Sequence, residues 1–369
     1  MRALPFILCV SGTLLAAPAL RWRSPVGLGY SGLAVGGGLA FTIGHKDGTD
    51  SIIALDSDTG EERWRHSYPQ DSIPKFNPGG PNSTPLLAGE WLYAFSKQGI
   101  VFCLRASTGE LRWSHDLRDD VVTMPVFGFA STPLLLDGRL YLNAGARGCC
   151  LDANTGKAIW ITPGDAAYGD LVPLAYKGKP AFALANKTAL VLVSRSDGSL
   201  LWSYDYPTKW GENSSTPIVS GDSLYYSAWW DQGARLFDLS DDSPREVWRS
   251  RELQNHIATP LLHDGHLYGF DGPIHRRKAK RALRCAEFAT GKVLWSQEDL
   301  HGSIQLMDDK LLILEREGAI TIAEASPQGY TQISRHTLLG EKTWTPPTRI
   351  GTQIFVRDGH DAVCVDLQP

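Results

Sequence analysis

Residues 54–64 read ALDSDTGEERW, and residues 103–113 read CLRASTGELRW. Each segment has the form of a strand end, a tight turn that closes on glycine, and a second strand with tryptophan four residues after that glycine. The pattern returns as CLDANTGKAIW at 150–160, LVSRSDGSLLW at 192–202 and CAEFATGKVLW at 285–295. The first four of these glycines lie 49, 47 and 42 residues apart. This spacing is typical of a propeller blade with four short strands.

A second pattern marks the first strand of each blade. Thr-Pro followed by two apolar residues has four clear copies, at 83–87, 131–135, 215–219 and 258–262. A hairpin turn and another apolar strand follow each copy. Weaker copies stand at 30–35, 171–174, 302–306 and 345–347. The pattern therefore predicts eight blades.

The two ends of the repeat are complementary. The eighth copy stops at residues 364–367, before its tryptophan strand would begin, and Trp22 precedes the first inner strand. We predict an all-β, eight-bladed β-propeller of four-stranded antiparallel blades, closed by the N-terminal strand. With Trp22 counted, seven blades carry the tryptophan, and Ile333 is assigned to its place in the remaining blade. We interpret these indoles as packing between blades, with no catalytic role.

The pattern x-Leu-Asp-Ala-x-Thr-Gly-x-x-x-Trp, with its Ser-Thr-Pro inner strands, resembles the repeats of the PQQ-like (pyrroloquinoline-quinone) β-propeller family. That family includes quinoprotein alcohol dehydrogenases and BamB-type outer-membrane assembly scaffolds. The resemblance covers nearly the whole mature chain and implies the fold, but the repeat occurs with and without the cofactor and so implies no single function. Resemblance to the quinoproteins would imply a calcium-bound quinone in the central funnel, with a carboxylate base and a stacked tryptophan. No motif here matches those residues.

Composition and charge exclude some classes of protein. Hydrophobic residues make up 43% and charged residues 21% of the chain, so it can bury a core and is not intrinsically disordered. The 37 glycines and 22 prolines suit short strands joined by turns better than helices. A formal net charge of −4 lacks the basic excess of a nucleic-acid-binding protein, and we expect no such partner.

Residues 1–19 have the pattern of a secretory signal peptide: Arg2 precedes an apolar stretch, and Ala17-Pro18-Ala19 forms a small-residue cleavage site. We expect an exported, periplasmic protein whose single propeller domain spans residues 20–369. A membrane anchor is the alternative, but prolines and polar residues interrupt the apolar run, and no later segment could span a bilayer. Cys9 lacks the small residues that precede a lipidated cysteine, so we expect no lipid anchor.

The adjacent residues Cys149 and Cys150 have two interpretations. Some quinoprotein dehydrogenases close a disulfide between neighbouring cysteines over the cofactor. Cys150, however, shares its repeat position with Cys103, Cys285 and Cys364, which is typical of small, buried strand residues. We favour packing over a functional disulfide. Export would place these cysteines in a compartment where a disulfide can form, so the alternative stays open.

Other short motifs are better explained by the propeller repeat than by a nucleotide, metal or calcium site. The G-x-G-x-x-G at 27–32 runs on into a glycine-rich segment that cannot open the helix of a dinucleotide site. The two histidines of 263–266 flank a hairpin turn, and the acidic turn at 56–60 has its glycine in the wrong place for a calcium loop. We interpret the basic run at 275–281 as a solvated loop, with an acidic partner as the alternative. We predict no metal site and no catalytic residue.

The stronger functional signal lies in the loops that lead into the inner strands. The connections at 64–84 and 113–132 are long, whereas the opposite face has only tight turns. Polar and aromatic residues on the long-loop face form the candidate site: Tyr30, Asn82, Asp170, Asn213, Asn255, His256, Asp271 and Trp344. We expect a protein or a small polar ligand to bind them at the central funnel. The alternative for each Asn or Asp is capping of local backbone groups. Trp229-Trp230 is interpreted as packing or an exposed docking patch.

These observations favour an exported, monomeric and non-enzymatic propeller that acts as a ligand-binding or protein-docking scaffold without a cofactor. The alternative is a quinoprotein dehydrogenase that depends on PQQ with calcium.

Overall fold

The computed structural model describes residues 18–72, 74, 79–273, 280–340 and 343–367. Within these ranges the chain forms eight four-stranded antiparallel sheets, arranged as the blades of a β-propeller. The predicted fold is therefore confirmed. Most of the predicted signal peptide lies outside the described residues, as does most of the basic run at 275–281.

The first half of the chain supplies one strand of blade 8 and all of blades 1 to 4. The strands of blades 1 and 2, after β1 (Ala19–Pro25), are β2 (Ala34–Gly36), β3 (Leu39–Lys46), β4 (Thr49–Asp56), β5 (Glu62–Pro69), β6 (Leu86–Ala88), β7 (Trp91–Phe95), β8 (Ile100–Arg105) and β9 (Leu111–Asp116). A 3₁₀ turn (Leu117–Asp119) and the short β10 (Val122–Thr123) follow. Blade 3, the short β15 and blade 4 comprise β11 (Leu134–Leu136), β12 (Arg139–Leu142), β13 (Cys149–Asp152), β14 (Ala158–Ile161), β15 (Gly164–Asp165), β16 (Val172–Tyr176), β17 (Lys179–Ala185), β18 (Ala189–Ser194) and β19 (Leu200–Asp205).

The second half of the chain builds blades 5 to 8 in the same order, from the channel outward. A 3₁₀ turn (Lys209–Gly211) precedes blade 5. The strands are β20 (Ile218–Ser220), β21 (Ser223–Ala228), β22 (Gly233–Asp238), β23 (Arg245–Ser250), β24 (Leu261–His263), β25 (His266–Asp271), β26 (Ala282–Glu287), β27 (Val293–Glu298), β28 (Gly302–Met307), β29 (Lys310–Glu315), β30 (Ala319–Glu324), β31 (Gln332–Thr337), β32 (Thr348–Ile350), β33 (Gln353–Arg357) and β34 (Asp361–Asp366).

Blade 8 is completed by both ends of the propeller. Strand β1 pairs antiparallel with β34, and Trp22 lies opposite Cys364. Arg357, at the end of β33, is fully buried and donates to the carbonyls of Gly27 and Ile43 at 2.8 Å, which ties blade 8 to blade 1. Closure by the N-terminal strand is confirmed, and it gives blade 8 the same four strands as the other blades.

The repeated tryptophans pack each blade on the next. Trp113 of blade 2 lies opposite Cys103 and donates its indole N–H to the Ala153 carbonyl of blade 3 at 3.1 Å. A Cβ on Gly156 would lie 2.5 Å from the Trp113 ring, and Gly156 also has a φ of +71°. The repeat therefore needs glycine in this turn, both for the left-handed backbone and for the close approach of the indole. Five of the seven indoles in the described chain donate to the next blade in this way.

Blade 7 corrects one detail of the repeat alignment. Ser334, rather than Ile333, lies opposite Ile322 at the position of the tryptophans. The bulge that follows this pair also occurs in blade 1, but the connection from Ile322 to Ser334 is two residues longer than the connection from Ala54 to Trp64. The absence of an indole here has a physical reason: no turn joins β34 to β1, so blade 8 presents no glycine turn to cover.

The core lies between adjacent blades. Tyr93 and Phe95 of blade 2 share one apolar cluster with Leu140 and Leu142 of blade 3. The cysteines of the described residues are free and buried within the strands, as the repeat position predicts. No helix in the described part of the chain is long and apolar enough to cross a membrane.

Candidate functional site

A cavity of about 760 Å³ opens at the channel, on the face where the loops enter the first strand of each blade. Every blade contributes to its lining. One lining residue from each blade, in order, is Tyr30, Asn82, Phe127, Asp170, Glu212, His256, Gln305 and Trp344. Most of the first strands are only three residues long. The loops that precede them, rather than the sheets, therefore form most of the wall.

Threonines of the Thr-Pro repeats hold neighbouring blades together around this cavity. The Thr84 hydroxyl accepts the backbone N–H of Gly32 at 3.1 Å, and the Thr259 hydroxyl accepts that of Thr216 at 2.9 Å. Thr216 in turn accepts the N–H of Asp170 at 3.1 Å. These bonds satisfy backbone donors that the short inner strands leave unpaired, so the wall is held by hydrogen bonds that cross blade boundaries.

Five of the eight predicted site residues line the cavity: Tyr30, Asn82, Asp170, His256 and Trp344. Tyr30 and Trp344 stack with ring centroids 4.6 Å apart and an interplanar angle of 21°. Burial raises the pKa of Tyr30, which stays a neutral donor and acceptor. The Trp344 Nε1 is buried and has no hydrogen-bond partner among the described residues, so one wall of the cavity holds an unused donor.

The other three predicted residues lie behind the wall. Asn213 and Asn255 are buried, and each donates its side-chain amide to backbone carbonyls at 2.8 to 3.0 Å. Asp271 accepts a backbone N–H at 2.8 Å and lies 3.4 Å from the Arg284 guanidinium. These contacts match the capping alternative for Asn and Asp. Their part in ligand binding stays a prediction.

Asp170 is a carboxyl group held in an unfavourable environment. Its Oδ1 accepts the Thr132 N–H at 2.6 Å, yet burial outweighs this bond and raises its pKa to about 6. A carboxyl with this pKa changes charge close to neutral pH, and it does so at the cavity wall.

Glu212 is not among the residues predicted from the sequence, yet it contacts the predicted His256. Glu212 Oε2 accepts the Trp230 indole N–H at 2.6 Å and lies 3.3 Å from His256 Nε2. The imidazole is 4% exposed and packs on Trp229 at a centroid distance of 5.3 Å. The sequence offers one indication of Glu212, a charged residue directly before the predicted Asn213. It does not occupy a position that the repeat marks.

Lys209 and two tryptophans form the rim next to Glu212. The Lys209 ammonium lies 5.3 Å from the ring centroid of Trp230 and 5.6 Å from that of Trp210. Trp210 is 49% exposed and has a φ of +64°, and Trp230 has a φ of +65°. Bulky residues rarely adopt this left-handed backbone because it costs free energy, and such strain concentrates at binding sites.

The lining residues do not fit a calcium-bound quinone. Calcium takes six to eight oxygen ligands in proteins. Among the described residues, the carboxylates of the cavity lining are Asp170 and Glu212, and each accepts an N–H of the protein. The described residues contain no group of three or more His, Cys, Asp or Glu side chains that could hold a metal. The adjacent cysteines lie buried on β13, outside the lining.

Comparison with known proteins identifies relatives of this fold. The family model described as "Outer membrane protein assembly factor BamB" matches residues 48–297. A polyvinylalcohol dehydrogenase of Sphingopyxis sp. (strain 113P3) is 26% identical over 215 residues, which take in 52% of this chain and 31% of that protein. The chain thus matches under a third of the length of this curated relative.

Two solved structures show how widely the architecture is shared. BamB from Moraxella catarrhalis is 15% identical and has a TM-score of 0.69, covering 95% of this chain and 100% of that chain. A europium-containing methanol dehydrogenase is 12% identical and has the same TM-score of 0.69, with 95% and 93% covered. At these identities the likeness shows the fold alone, and that fold serves both an assembly factor and a dehydrogenase.

Proposed function

The chain belongs to the family of the outer membrane protein assembly factor BamB, and from this premise we propose that it is an exported, non-enzymatic propeller that docks a segment of a partner protein at its funnel mouth. The predicted signal peptide at residues 1–19 supports a periplasmic location. The family description suggests a partner that takes part in outer-membrane protein assembly. We propose that the propeller acts as a monomer.

The observation that carries this proposal is the aromatic lining of the cavity. Six aromatic side chains of the described residues line it: Tyr30, Phe127, Tyr168, Trp210, Trp230 and Trp344. Tyrosine and tryptophan dominate the residues that contribute most to protein-protein affinity, because each buries a large apolar area and keeps a polar edge. The exposed Trp210 at the rim supports an occupant that extends out of the cavity.

A quinone-dependent dehydrogenase is the second candidate, because the polyvinylalcohol dehydrogenase shares 26% identity with this chain. Such an enzyme would need a calcium ion with free oxygen ligands beside the quinone. The described lining offers only two carboxylates, Asp170 and Glu212, against the six to eight oxygen ligands that calcium takes. This scarcity of carboxylates supports a docking role over a cofactor role for the cavity.

Site-specific photo-crosslinking in the periplasm tests the docking proposal. A photoreactive residue at Trp210, on the cavity rim, is compared with one at Leu200, which is similarly exposed at 50% on the outer strand β19. We expect one protein, identified by mass spectrometry, to crosslink at 210 and not at 200, and to bind the purified propeller. A crosslink confined to 200 would contradict the proposal.

Reconstitution separates the two candidates. The purified protein is incubated with pyrroloquinoline quinone and calcium, and absorbance and dye-linked alcohol oxidation are followed. We expect neither a stoichiometric bound chromophore nor dye reduction. Saturable quinone binding with dye reduction would favour the dehydrogenase.

A further inference from the structure

One position of the repeat differs between blades at the channel. The residue two places before the first strand of the blade is threonine in blades 2, 3, 5 and 6, and we call this set the channel threonines: Thr84, Thr132, Thr216 and Thr259. In blade 4 the same position holds Asp170, two residues before β16. The channel threonines and Asp170 all line the cavity. A carboxyl group therefore stands in blade 4 where four other blades have a hydroxyl.

The wall of the cavity does not need a carboxyl group at this position. Thr84, Thr216 and Thr259 each accept a backbone N–H of the preceding blade through the side-chain hydroxyl, at 2.9 to 3.1 Å. Asp170 Oδ1 makes the equivalent bond to the Thr132 N–H, at 2.6 Å. Because a hydroxyl makes this bond in three other blades, the bond does not account for the aspartate in blade 4.

The carboxyl group has a cost that a threonine hydroxyl does not have. Burial disfavours the charged form of Asp170 and raises its pKa to about 6. Hydrogen bonds from Thr132 oppose this shift, and no cation of the described residues contributes to it. A carboxylate can accept about four hydrogen bonds, more than the Thr132 backbone and hydroxyl supply. The carboxylate therefore has acceptor sites left over and no counter-ion in the described part of the chain.

The contacts of Asp170 favour an ammonium over a guanidinium as the missing cation. Oδ1 already accepts the Thr132 N–H, so the two parallel bonds of a guanidinium would meet one occupied oxygen. An ammonium is a compact charge that needs only one carboxylate oxygen. The Thr216 hydroxyl, which accepts the N–H of Asp170 at 3.1 Å, has a second lone pair and offers a further acceptor nearby.

We infer that Asp170 binds the ammonium group of a lysine in the docked segment, at the level of the channel threonines. This inference rests on the proposed docking function and specifies the chemistry of the docked segment. The lysine enters from the cavity mouth, and its ammonium is the counter-ion that the described residues do not supply. Asp170 is then a residue that determines specificity. Its replacement by threonine should remove the preference for a cation and keep the wall intact.

The test compares the peptide acetyl-Gly-Lys-Gly-amide with its norleucine counterpart, which keeps the apolar stem without the ammonium. Isothermal titration calorimetry measures the binding of each peptide to the full chain. We expect the lysine peptide to bind about tenfold tighter, because a hydrogen bond to a charged group forms in an enclosed site. An arginine peptide should bind roughly threefold more weakly than the lysine peptide, because one carboxylate oxygen is already occupied.

Variants of blade 4 assign this preference to Asp170. Asp170→Thr installs the residue of the other blades, and the lysine and norleucine peptides should then bind within about twofold of each other. Asp170→Asn, which keeps the size of the side chain, should lose the preference as well. The control Asp197→Asn removes a charge from the exposed turn of the same blade and should keep the preference. Asp170→Thr should unfold at a temperature no lower than that of the wild type, since threonine makes the same wall bond elsewhere.

Equal affinity of the wild-type protein for the lysine and norleucine peptides would overturn the inference, as would a lysine preference that survives in both Asp170 variants. Absence of saturable binding at millimolar lysine peptide would overturn it too. A free amine is a second source of the same ammonium group, so n-butylammonium is titrated in parallel. Binding of n-butylammonium as tight as that of the lysine peptide would assign the site to a free amine and contradict the docked lysine.

The crosslinking experiment separates this inference from the docking function. If a partner crosslinks at 210 and the peptides are not distinguished, the lysine chemistry fails and the docking function stands. If the lysine preference depends on Asp170 and no partner crosslinks at 210, the docking function fails and the ammonium site remains.

Discussion

Carboxyl groups have opposite environments on the two faces of the propeller. On the face of the tight turns, the Asp56 carboxylate accepts bonds from Arg63 and from the backbone N–H groups of its own turn, and these lower its pKa to about 2. On the cavity face, burial raises the pKa of Asp170 to about 6, and the Trp344 indole N–H has no partner in the described chain. The turn face stabilises the charged form of its carboxylates, whereas the cavity face holds a carboxyl group whose charged form is disfavoured.

The backbone repeats this contrast. Positive φ angles on the turn face fall mostly on glycines, such as Gly109 and Gly156, which adopt them without strain. On the cavity face they fall on glycines too, but also on two bulky residues, Trp210 and Trp230. We propose that the turn face serves stability and the cavity face serves binding. Substitutions on the turn face should therefore lower stability, and substitutions on the cavity face should lower affinity.

The largest contrast is expected between two tryptophans. Trp113→Ala should lower the free energy of unfolding by about 3 to 5 kcal/mol, because it leaves a cavity between blades 2 and 3 and removes a hydrogen bond. Trp202→Ala, in the same repeat position, should behave alike. The control Trp210→Ala, at the exposed rim, should change stability by less than about 1 kcal/mol. Denaturant unfolding measures all three, and wild-type stability of Trp113→Ala would break the assignment of the repeat to packing.

Two glycines of blade 3 sharpen the account of the turn face. Gly138 and Gly156 both have a φ of +71°, but a Cβ at 138 meets nothing within 4 Å, whereas one at 156 lies 2.5 Å from the Trp113 ring. Gly138→Ala should cost about 1 kcal/mol from backbone strain alone. Gly156→Ala should cost about 2 kcal/mol more, because the indole has to move. Equal losses in thermal or denaturant unfolding would show that the indole contact is not tight.

The difference between the faces also explains which features could be predicted from the sequence. The blades and their closure follow from a pattern that returns along the chain. Because the copies can be aligned, a weak copy is assigned by comparison with the clear ones. Lys209 and Glu212 lie in a loop whose sequence is not repeated in the other blades, so no periodicity identifies them. Whether Asn213 lines the cavity or caps a backbone carbonyl depends on how two loops meet in space, which spacing along the chain does not determine.

The ionisation of Asp170 gives a smaller, pH-dependent prediction. An unfolded aspartate has a pKa near 4. Because the folded pKa is raised to about 6, the folded state binds this proton more tightly, and the stability that the group contributes is lost as pH rises from about 4 to about 6. Asp170→Asn keeps an acceptor for the Thr132 N–H and carries no charge. Its free energy of unfolding relative to wild type should therefore increase by about 1 to 2 kcal/mol when the pH is raised from 4 to 7.5. A difference that does not change with pH, in unfolding curves at both values, would mean that Asp170 ionises normally.

The central claim, that the partner docks on the cavity face, is tested most directly by the affinity of the purified crosslinked partner for matched variants of the two faces. His256→Ala and Trp344→Ala should each weaken binding by about 1 kcal/mol, or roughly fivefold in Kd, through loss of a buried polar or stacking contact. Asn154→Ala, an exposed change in a tight turn of blade 3, should leave Kd unchanged. Unaltered affinity in both cavity variants, with weaker binding by Asn154→Ala, would contradict the account.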